Sequence, residues 1–200
     1  MCSKDSIIST TSTCQRVVVE LGIGDGRLLE KVVRDRKSTQ TCYVGIEIDA
    51  KQIQMARDRL REKNVSLVNE SFEKVISCFP DNYVDEFIFV LPPPEYIDKS
   101  MESQWSSFYR EIFKKLKENG SLTIVTEIIN NLLEPVTDRE FKIWKNWLMS
   151  KFTRLGFIIK EAHDGSPSYF SSHYLEQFRG DTSRIKMVTL ILLKPYYISS

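Results

Sequence analysis

The sequence predicts an α/β fold, a mostly parallel sheet with helices on both faces, and three observations carry that prediction. From about residue 16 onward, apolar β-branched runs alternate with amphipathic stretches of helical period, the pattern of strands buried on both faces. The first run, Val17-Val18-Val19-Glu20-Leu21, feeds a glycine-spaced turn, Gly22-Ile23-Gly24-Asp25-Gly26, that opens directly into Arg27-Leu28-Leu29. A second apolar run, Tyr43-Val44-Gly45-Ile46-Glu47-Ile48-Asp49, ends in acids. Its distance from the turn, about twenty residues, is the spacing at which a parallel neighbour offers a carboxylate to a ribose diol.

The elements follow in order. Residues 25–36 place Leu28, Leu29, Val32 and Val33 on one side, which predicts the first helix. Asp49 followed by Gln52 reads as a capping box, and Ile53, Ala56 and Leu60 recur at helical spacing, so a second helix is expected as far as Lys63. Arg57, Arg59, Arg61 and Lys63, interleaved with Asp58 and Glu62, read as its solvated face, with an RNA contact as the alternative. Residues 65–68 form a third strand. Residues 84–91 carry acids early and Phe87, Ile88, Phe89 and Val90 late, as a central strand does when its start is exposed. That strand must stop at Pro92-Pro93-Pro94, which has no N–H to donate to a ladder. Trp105, Phe108, Ile112 and Leu116 mark a helix closed by Gly120, and residues 121–129 a fifth strand. Thr137 opens a helix with the stripe Phe141, Trp144, Leu148, Phe152 and Leu155, which favours Trp144 and Trp147 as core residues over cofactor contacts. Residues 157–161 and 187–193 are the last two strands. The polar stretch 162–185 between them is long for a compact domain and is a candidate substrate loop. The organisation expected is a polar leader over residues 1–15 and a single domain over 16–200.

Composition narrows the function classes. Two hundred residues with 42% apolar content can bury a core without staples. The cysteines at 2, 14, 42 and 78 lack C-x-x-C spacing, and His163 and His173 have no ligand partner at metal spacing, so no metal site is expected. Cys42 and Cys78 are expected to pack as reduced thiols. With no long apolar run and no charged-then-apolar leader, the chain is expected to be cytoplasmic and free of membrane. A net charge of +1 gives no global field for nucleic acid, so any RNA must meet a local basic face. Arg139, Lys142 and Lys145, opposite the apolar stripe of their helix, offer one, with a plain solvated face as the alternative.

The Glu20-to-Gly26 loop and the Gly45-Ile46-Glu47 strand end resemble motifs I and II of class I S-adenosylmethionine-dependent methyltransferases. A dinucleotide dehydrogenase would need G-x-G-x-x-G, whereas position 27 is Arg. An acid at the head of the loop repels a pyrophosphate and suits a ligand carrying an ammonium and a sulfonium. The resemblance implies a Rossmann-like three-layer α/β/α fold, with a mostly parallel seven-stranded sheet and an antiparallel C-terminal strand. It implies S-adenosyl-L-methionine as cofactor. Gly22, Gly24 and Gly26 would then line its bed, with Glu20 acting on the ammonium. Glu47 would take the ribose hydroxyls; Asp49 is the rival for that role but is also a good helix cap. Asn69-Glu70-Ser71-Phe72 resembles the family's adenine-binding segment, which puts Glu70 and Ser71 at the cofactor, with helix capping as the other reading. Leu91 is expected beside the cofactor at the end of the fourth strand.

Pro92-Pro93-Pro94-Glu95-Tyr96 occupies the place of the fourth motif, where the acceptor meets the methyl group. Methylases of exocyclic base amines carry Asn or Asp where Leu91 stands, which disfavours that acceptor. Together with Gly45-Ile46-Glu47, the helix and strand from Phe108 through Leu116-Lys117-Glu118-Asn119-Gly120 to Thr126-Glu127, and Ser172 to Glu176, this turn is similar to the tRNA (guanine-N7) methyltransferases. That family has an aspartate where Pro93 stands here. The resemblance implies an RNA partner, tRNA, and methylation of a base. N7 of guanine has a free lone pair, so positioning can replace a catalytic base. Glu95, Glu127 and Glu176 are the acids that would hold the guanine N1 and N2 donors and stabilise developing positive charge. Tyr96 and Tyr174, and with them Tyr169 or Phe170, would stack on the base, with core packing as the equal alternative for each. Protein lysine methylation, small-molecule methylation and a non-catalytic cofactor-binding scaffold subunit are the alternatives.

Overall fold

The computed structural model describes residues 9–130 and 134–196. Seven strands form one sheet: β1 (Arg16–Leu21), β2 (Thr41–Glu47), β3 (Val65–Asn69), β4 (Val84–Val90), β5 (Leu116–Ile129), β6 (Ile158–Asp164) and β7 (Ile185–Leu193). The helices are α1 (Arg27–Arg36), α2 (Ala50–Arg59), α3 (Phe72–Cys78), α4 (Glu102–Lys115), α5 (Asp138–Arg154) and α6 (His173–Arg179). The strand order is β3-β2-β1-β4-β5-β7-β6. Strands β1 to β5 are parallel to one another, and β7 runs antiparallel to both β5 and β6. The chain leaves β1 in one direction across the sheet and returns to β4 in the other, so the order reverses between them. A crevice therefore opens at the carboxyl ends of β1 and β4.

Alternation along the strands sets the two faces. Val17, Val19, Leu21, Phe87 and Phe89 join one core with α3, α4 and α5, while Val18, Tyr43 and Ile88 join the other with α1, α2 and α6. Leu175 of α6 is fully buried in that second core, and Phe170 just before it nearly so. Gly45 is required by this packing: a Cβ there would lie 2.8 Å from Leu29 and Leu67 side-chain carbons and 2.9 Å from Ile23. Thr137 caps α5 through a reciprocal box with Glu140. No described helix is long and apolar enough to cross a membrane.

Several elements depart from expectation. α2 stops at Arg59, so Arg61 and Lys63 lie beyond it; Asp49 does cap it, accepting from the Lys51 and Gln52 amides. Gly120 closes no helix. α4 ends at Lys115 and β5 begins at Leu116, with the register against β4 jumping from Val84–Leu116 to Glu86–Ser121. Residues 117–120 are looped out of the ladder, and a Cβ on Gly120 would sit 2.8 Å from the Lys117 carbonyl oxygen. The Cys42 expectation is overturned: Cys14 and Cys42 form a disulfide, while Cys78 remains a thiol. The end of the expected leader is thereby tied to β2, and buried Thr11 shares a 2.7 Å hydrogen bond with the Tyr83 hydroxyl. The 162–185 stretch contains α6, which no apolar periodicity announced.

Candidate functional site

A cleft of about 520 Å³ occupies the crevice, bounded by the β1–α1 loop, the end of β2, the start of α2, the end of β4 and the start of α6. The loop is held by its backbone. Gly22 and Ile23 both donate to the Ile46 carbonyl, at 2.9 and 3.0 Å, and Gly24 donates to Glu47 Oε2 at 2.9 Å. Gly22, Gly24 and Gly26 take φ of +69°, +54° and +81°, values costly for side-chain-bearing residues. Gly22 and Gly24 line the cleft, and a Cβ on either would meet nothing within 4 Å, so their surface is open to a ligand. Gly26 does something else. Its Cβ would fall 2.9 Å from that of Ala56, so this glycine lets α1 start against α2 and stays out of the cleft.

Glu20 is the electrostatic centre. It is 3% exposed, its Oε2 has no hydrogen-bond partner, and burial, then the charges of Asp25 and Glu47, hold its carboxyl well above the usual range. A buried acid with an orphaned oxygen and two carboxylates nearby is offset by a cation, which fits the ammonium and sulfonium of an adenosylmethionine. Asp25 itself is pinned by Arg27 at 2.8 Å and Arg59 at 3.4 Å. At the end of β2, the two Glu47 oxygens accept from the Gly24 and Asp49 amides, both at 2.9 Å, which fixes the carboxylate plane at the cleft wall. Asp49 also lines the cleft, but two α2 amides occupy one of its oxygens and hold its pKa low.

The adenine expectation fares differently. Glu70 accepts from the Ser71 amide at 3.0 Å and from Lys74 at 3.2 Å, and Ser71 is the N-cap of α3; neither lines the cleft. Ser71 stands at the N-cap position of α3 without a side-chain cap bond, and Glu70 is taken up by its own neighbours in sequence. Asn69 instead bonds the Glu47 and Ile48 carbonyls, at 2.9 and 3.0 Å, and braces the end of β2.

The end of β4 brings Val90 and Leu91 to the cleft. Leu91 has φ +52°, a left-handed conformation costing a branched residue on the order of 1–2 kcal/mol, and its amide donates to the Val125 carbonyl at 2.7 Å. Beyond it the chain divides two other cavities. On one side Glu95 is exposed and Tyr96 packs edge-on against Phe72 and Phe108, each at 4.9 Å between ring centroids, with its hydroxyl on Glu73. These two residues line a groove of about 460 Å³ separate from the cleft, and the aromatic cluster occupies the Tyr96 ring. On the other side a recess of about 340 Å³ lies between Pro92, Pro94, Glu127 and Trp144. Burial raises the Glu127 carboxyl to about 7.

From α6, Ser172 and Tyr174 reach the cleft, Tyr174 as a 65% exposed rim residue. Arg179 buckles the preceding loop onto this helix, donating to Ser166 Oγ at 2.8 Å, to the Phe170 carbonyl at 2.7 Å and to that of Pro167. Glu176 does not line the cleft and accepts from the Ser171 hydroxyl. Sequence reasoning missed Ser172, Gln52 and Met55 as cleft residues. Ser172 was within reach, because a serine ahead of His173-Tyr174-Leu175-Glu176 is an N-cap signal, and it does accept from the Leu175 amide.

Comparison with known proteins agrees with this architecture. Residues 18–120 match the family described as Methyltransferase domain. No curated protein matches the chain. Among solved structures, the 16S rRNA methyltransferase KamB is 15% identical, with 98% of this chain and 95% of that one covered and a TM-score of 0.73. The 16S rRNA (adenine(1408)-N(1))-methyltransferase of Catenulisporales acidiphilia, solved with its cosubstrate SAM, is 15% identical over 100% and 95% of the two chains, with a TM-score of 0.69. The [4+2]-cyclase SpnF is 18% identical over 97% and 81%, with a TM-score of 0.63. At such identities the likeness is one of fold, and it is Rossmann-like. The family match, and the fit of the cleft to a cationic nucleoside, give S-adenosyl-L-methionine as the cofactor. The chain belongs to the methyltransferase domain family, as a class I S-adenosylmethionine-dependent methyltransferase.

Proposed function

We propose that this methyltransferase modifies an RNA base at a ring nitrogen, namely guanine N7 in tRNA. The observation that carries the reading is the apolar mouth of the cleft at Val90 and Leu91. S-adenosylmethionine supplies an electrophilic methyl group on a sulfonium. An ammonium, a hydroxyl or an exocyclic amine needs a base or a polar acceptor beside its attacking atom. The cleft's acids, Glu20, Asp25, Glu47 and Asp49, all come from the β1 and β2 side, and the β4 end adds only aliphatic carbon. An aromatic ring nitrogen with a free lone pair needs only to be held in line, where orientation provides most of the acceleration. Two of the fold's neighbours are named as rRNA methyltransferases, which supports an RNA acceptor.

In this reading Glu20 faces the cofactor's ammonium, Gly22 and Gly24 present bare backbone to its methionine portion, and Glu47 takes the ribose diol. Tyr174 at the rim stacks on the incoming nucleotide. Incubating the purified protein with methyl-labelled cofactor and bulk tRNA, then digesting to nucleosides, tests this. Label is expected in 7-methylguanosine. Label in protein lysine, in a small acceptor, or nowhere despite cofactor binding would replace the reading with one of the other classes.

A further inference from the structure

Two surfaces on one face of the sheet complement each other. The first is the groove between α3, residues 94–96 and α4. Its floor is apolar, with Ile76, Trp105 and Phe108 all buried, and its rim carries Glu73, Glu95 and Glu111, while no lysine, arginine or histidine lines it. Glu111 is held by Lys115 at 3.0 Å and Lys114 at 3.4 Å. Among the described residues, Glu73 takes only the Tyr96 hydroxyl and Glu95 takes no partner, so two carboxylates without a cation border the apolar floor. The second surface is the outer side of α5. Ile143 is 58% exposed there, and Arg139, one turn before it, and Lys142 beside it are exposed too. Neither cation has a carboxylate partner among the described residues, because the neighbouring acids are engaged elsewhere: Asp138 by Lys186, and Glu140 by Thr137 at the N-cap. An apolar side chain flanked by two free cations is the counterpart of an apolar floor flanked by two free carboxylates.

We propose that this chain forms a symmetric dimer in which α5 of each copy seats Ile143 in the α3–α4 groove of the other, with Arg139 and Lys142 facing Glu73 and Glu95. The placement of the helices lets the contact be reciprocal. α4 lies between the two surfaces, touching α3 through Phe72 and Phe108, 5.4 Å between ring centroids, and α5 through Glu102 and Lys151 at 2.6 Å. A two-fold axis past α4 therefore lays groove on α5 and α5 on groove, so that every complementary pair is made twice and the contact closes, whereas a head-to-tail arrangement of the same surfaces would propagate. Helices α1, α2 and α6 beside the cofactor cleft pack on the other face of the sheet, so the cleft stays open in such a dimer. A nucleic-acid backbone would satisfy the two cations of α5, but it brings nothing apolar to cover Ile143 and is repelled by the acids of the groove. A second copy of the chain accounts for both surfaces at once, whatever the acceptor of the methyl group.

Sedimentation velocity of the full chain tests this. Between about 1 and about 300 µM protein, a monomer–dimer equilibrium with Kd on the order of 10 µM is expected, weakening severalfold between roughly 50 and roughly 500 mM salt. The charge reversals E73K/E95K and R139E/K142E are each expected to raise Kd about tenfold or more. Mixed in equal amounts, the two variants are expected to dimerise again, because one contact of the mixed pair has both signs reversed and the other has both native. A chain that stays monomeric at the highest concentration overturns the proposal, and that result needs no variant to fold. A dimer whose Kd ignores both charge reversals overturns it as well, since its interface lies elsewhere. So does an R139E/K142E chain that loses affinity for bulk tRNA in a filter-binding assay while sedimenting as the parent does, which gives the two cations to phosphate.

Discussion

Replacing Glu47 by glutamine separates the two acids at the end of β2. Both carboxylate oxygens are oriented by backbone amides, from Gly24 and from Asp49 at 2.9 Å each, and each oxygen keeps a lone pair for a ribose hydroxyl. Glutamine retains one acceptor and turns an NH2 toward one of those amides. The fold loses one charge-assisted bond at a half-buried position, about 1–2 kcal/mol, and the glycine loop loses one tether. The cofactor loses the charge behind two hydroxyl contacts and one acceptor outright, together about 2–3 kcal/mol, which at 1.4 kcal/mol per decade is a roughly 30- to 140-fold rise in Kd. The assay is calorimetric titration with S-adenosylmethionine and with adenosylhomocysteine, beside a thermal melt to confirm folding. Asp49→Asn is the control: it keeps an oxygen for the Lys51 and Gln52 amides and is expected to move Kd less than threefold on the order of a single exposed contact. A Kd for Glu47→Gln within twofold of the parent, with Asp49→Asn weakened instead, would refute the ribose assignment.

Three further outcomes are expected. Glu127 has its carboxyl raised from 4.5 to about 7 by burial, so its contribution is fully present below pH 4.5 and is lost as pH rises through 7. Glu127→Gln should therefore gain on the parent between those limits, by at most roughly 3 kcal/mol above pH 7, in urea unfolding at pH 5 and pH 8; a pH-independent difference would contradict this. Reducing the Cys14–Cys42 bond, which closes a separation of 28 residues, should cost about 3–4 kcal/mol by loop-closure entropy and lower Tm. An unchanged melt under dithiothreitol would show that the N-terminal segment is held by its other contacts. Arg179→Ala removes three hydrogen bonds that buckle residues 166–170 onto α6. It is expected to speed amide exchange across α6 and raise cofactor KM severalfold while leaving exchange in β1 and β4 unchanged, and global acceleration would make the residue a general stabiliser instead.

Residues 16–129 could be read almost element by element because each signal there is local. A β-branched run, a glycine that must take positive φ, and an acid two residues before a cap are all set by neighbours in sequence. The cofactor loop, Glu47 and the capping duty of Asp49 were accordingly visible in the chain itself. Other decisions needed atoms distant in sequence. Gly26 looks like its two companions, and only the approach of Ala56 from α2 makes it a packing residue outside the cleft. Tyr96 has the composition of a stacking platform, but Phe72, Phe89 and Phe108 surround its ring. Glu70 has the position of an adenine contact, and its own neighbours Ser71 and Lys74 claim it. Cys14 and Cys42 carry no pairing motif and meet because β1 and β2 lie side by side in register, Val17 opposite Cys42. The sequence alone thus determined the order of the strands and the nature of the cofactor bed, since both depend on backbone periodicity and on glycine, whereas the short helices α3 and α6 carried no such signal. Which of Glu95, Glu127 and Glu176 keeps an enclosed oxygen without a partner was decided only by the tertiary structure, because desolvation is a property of everything packed around a carboxylate.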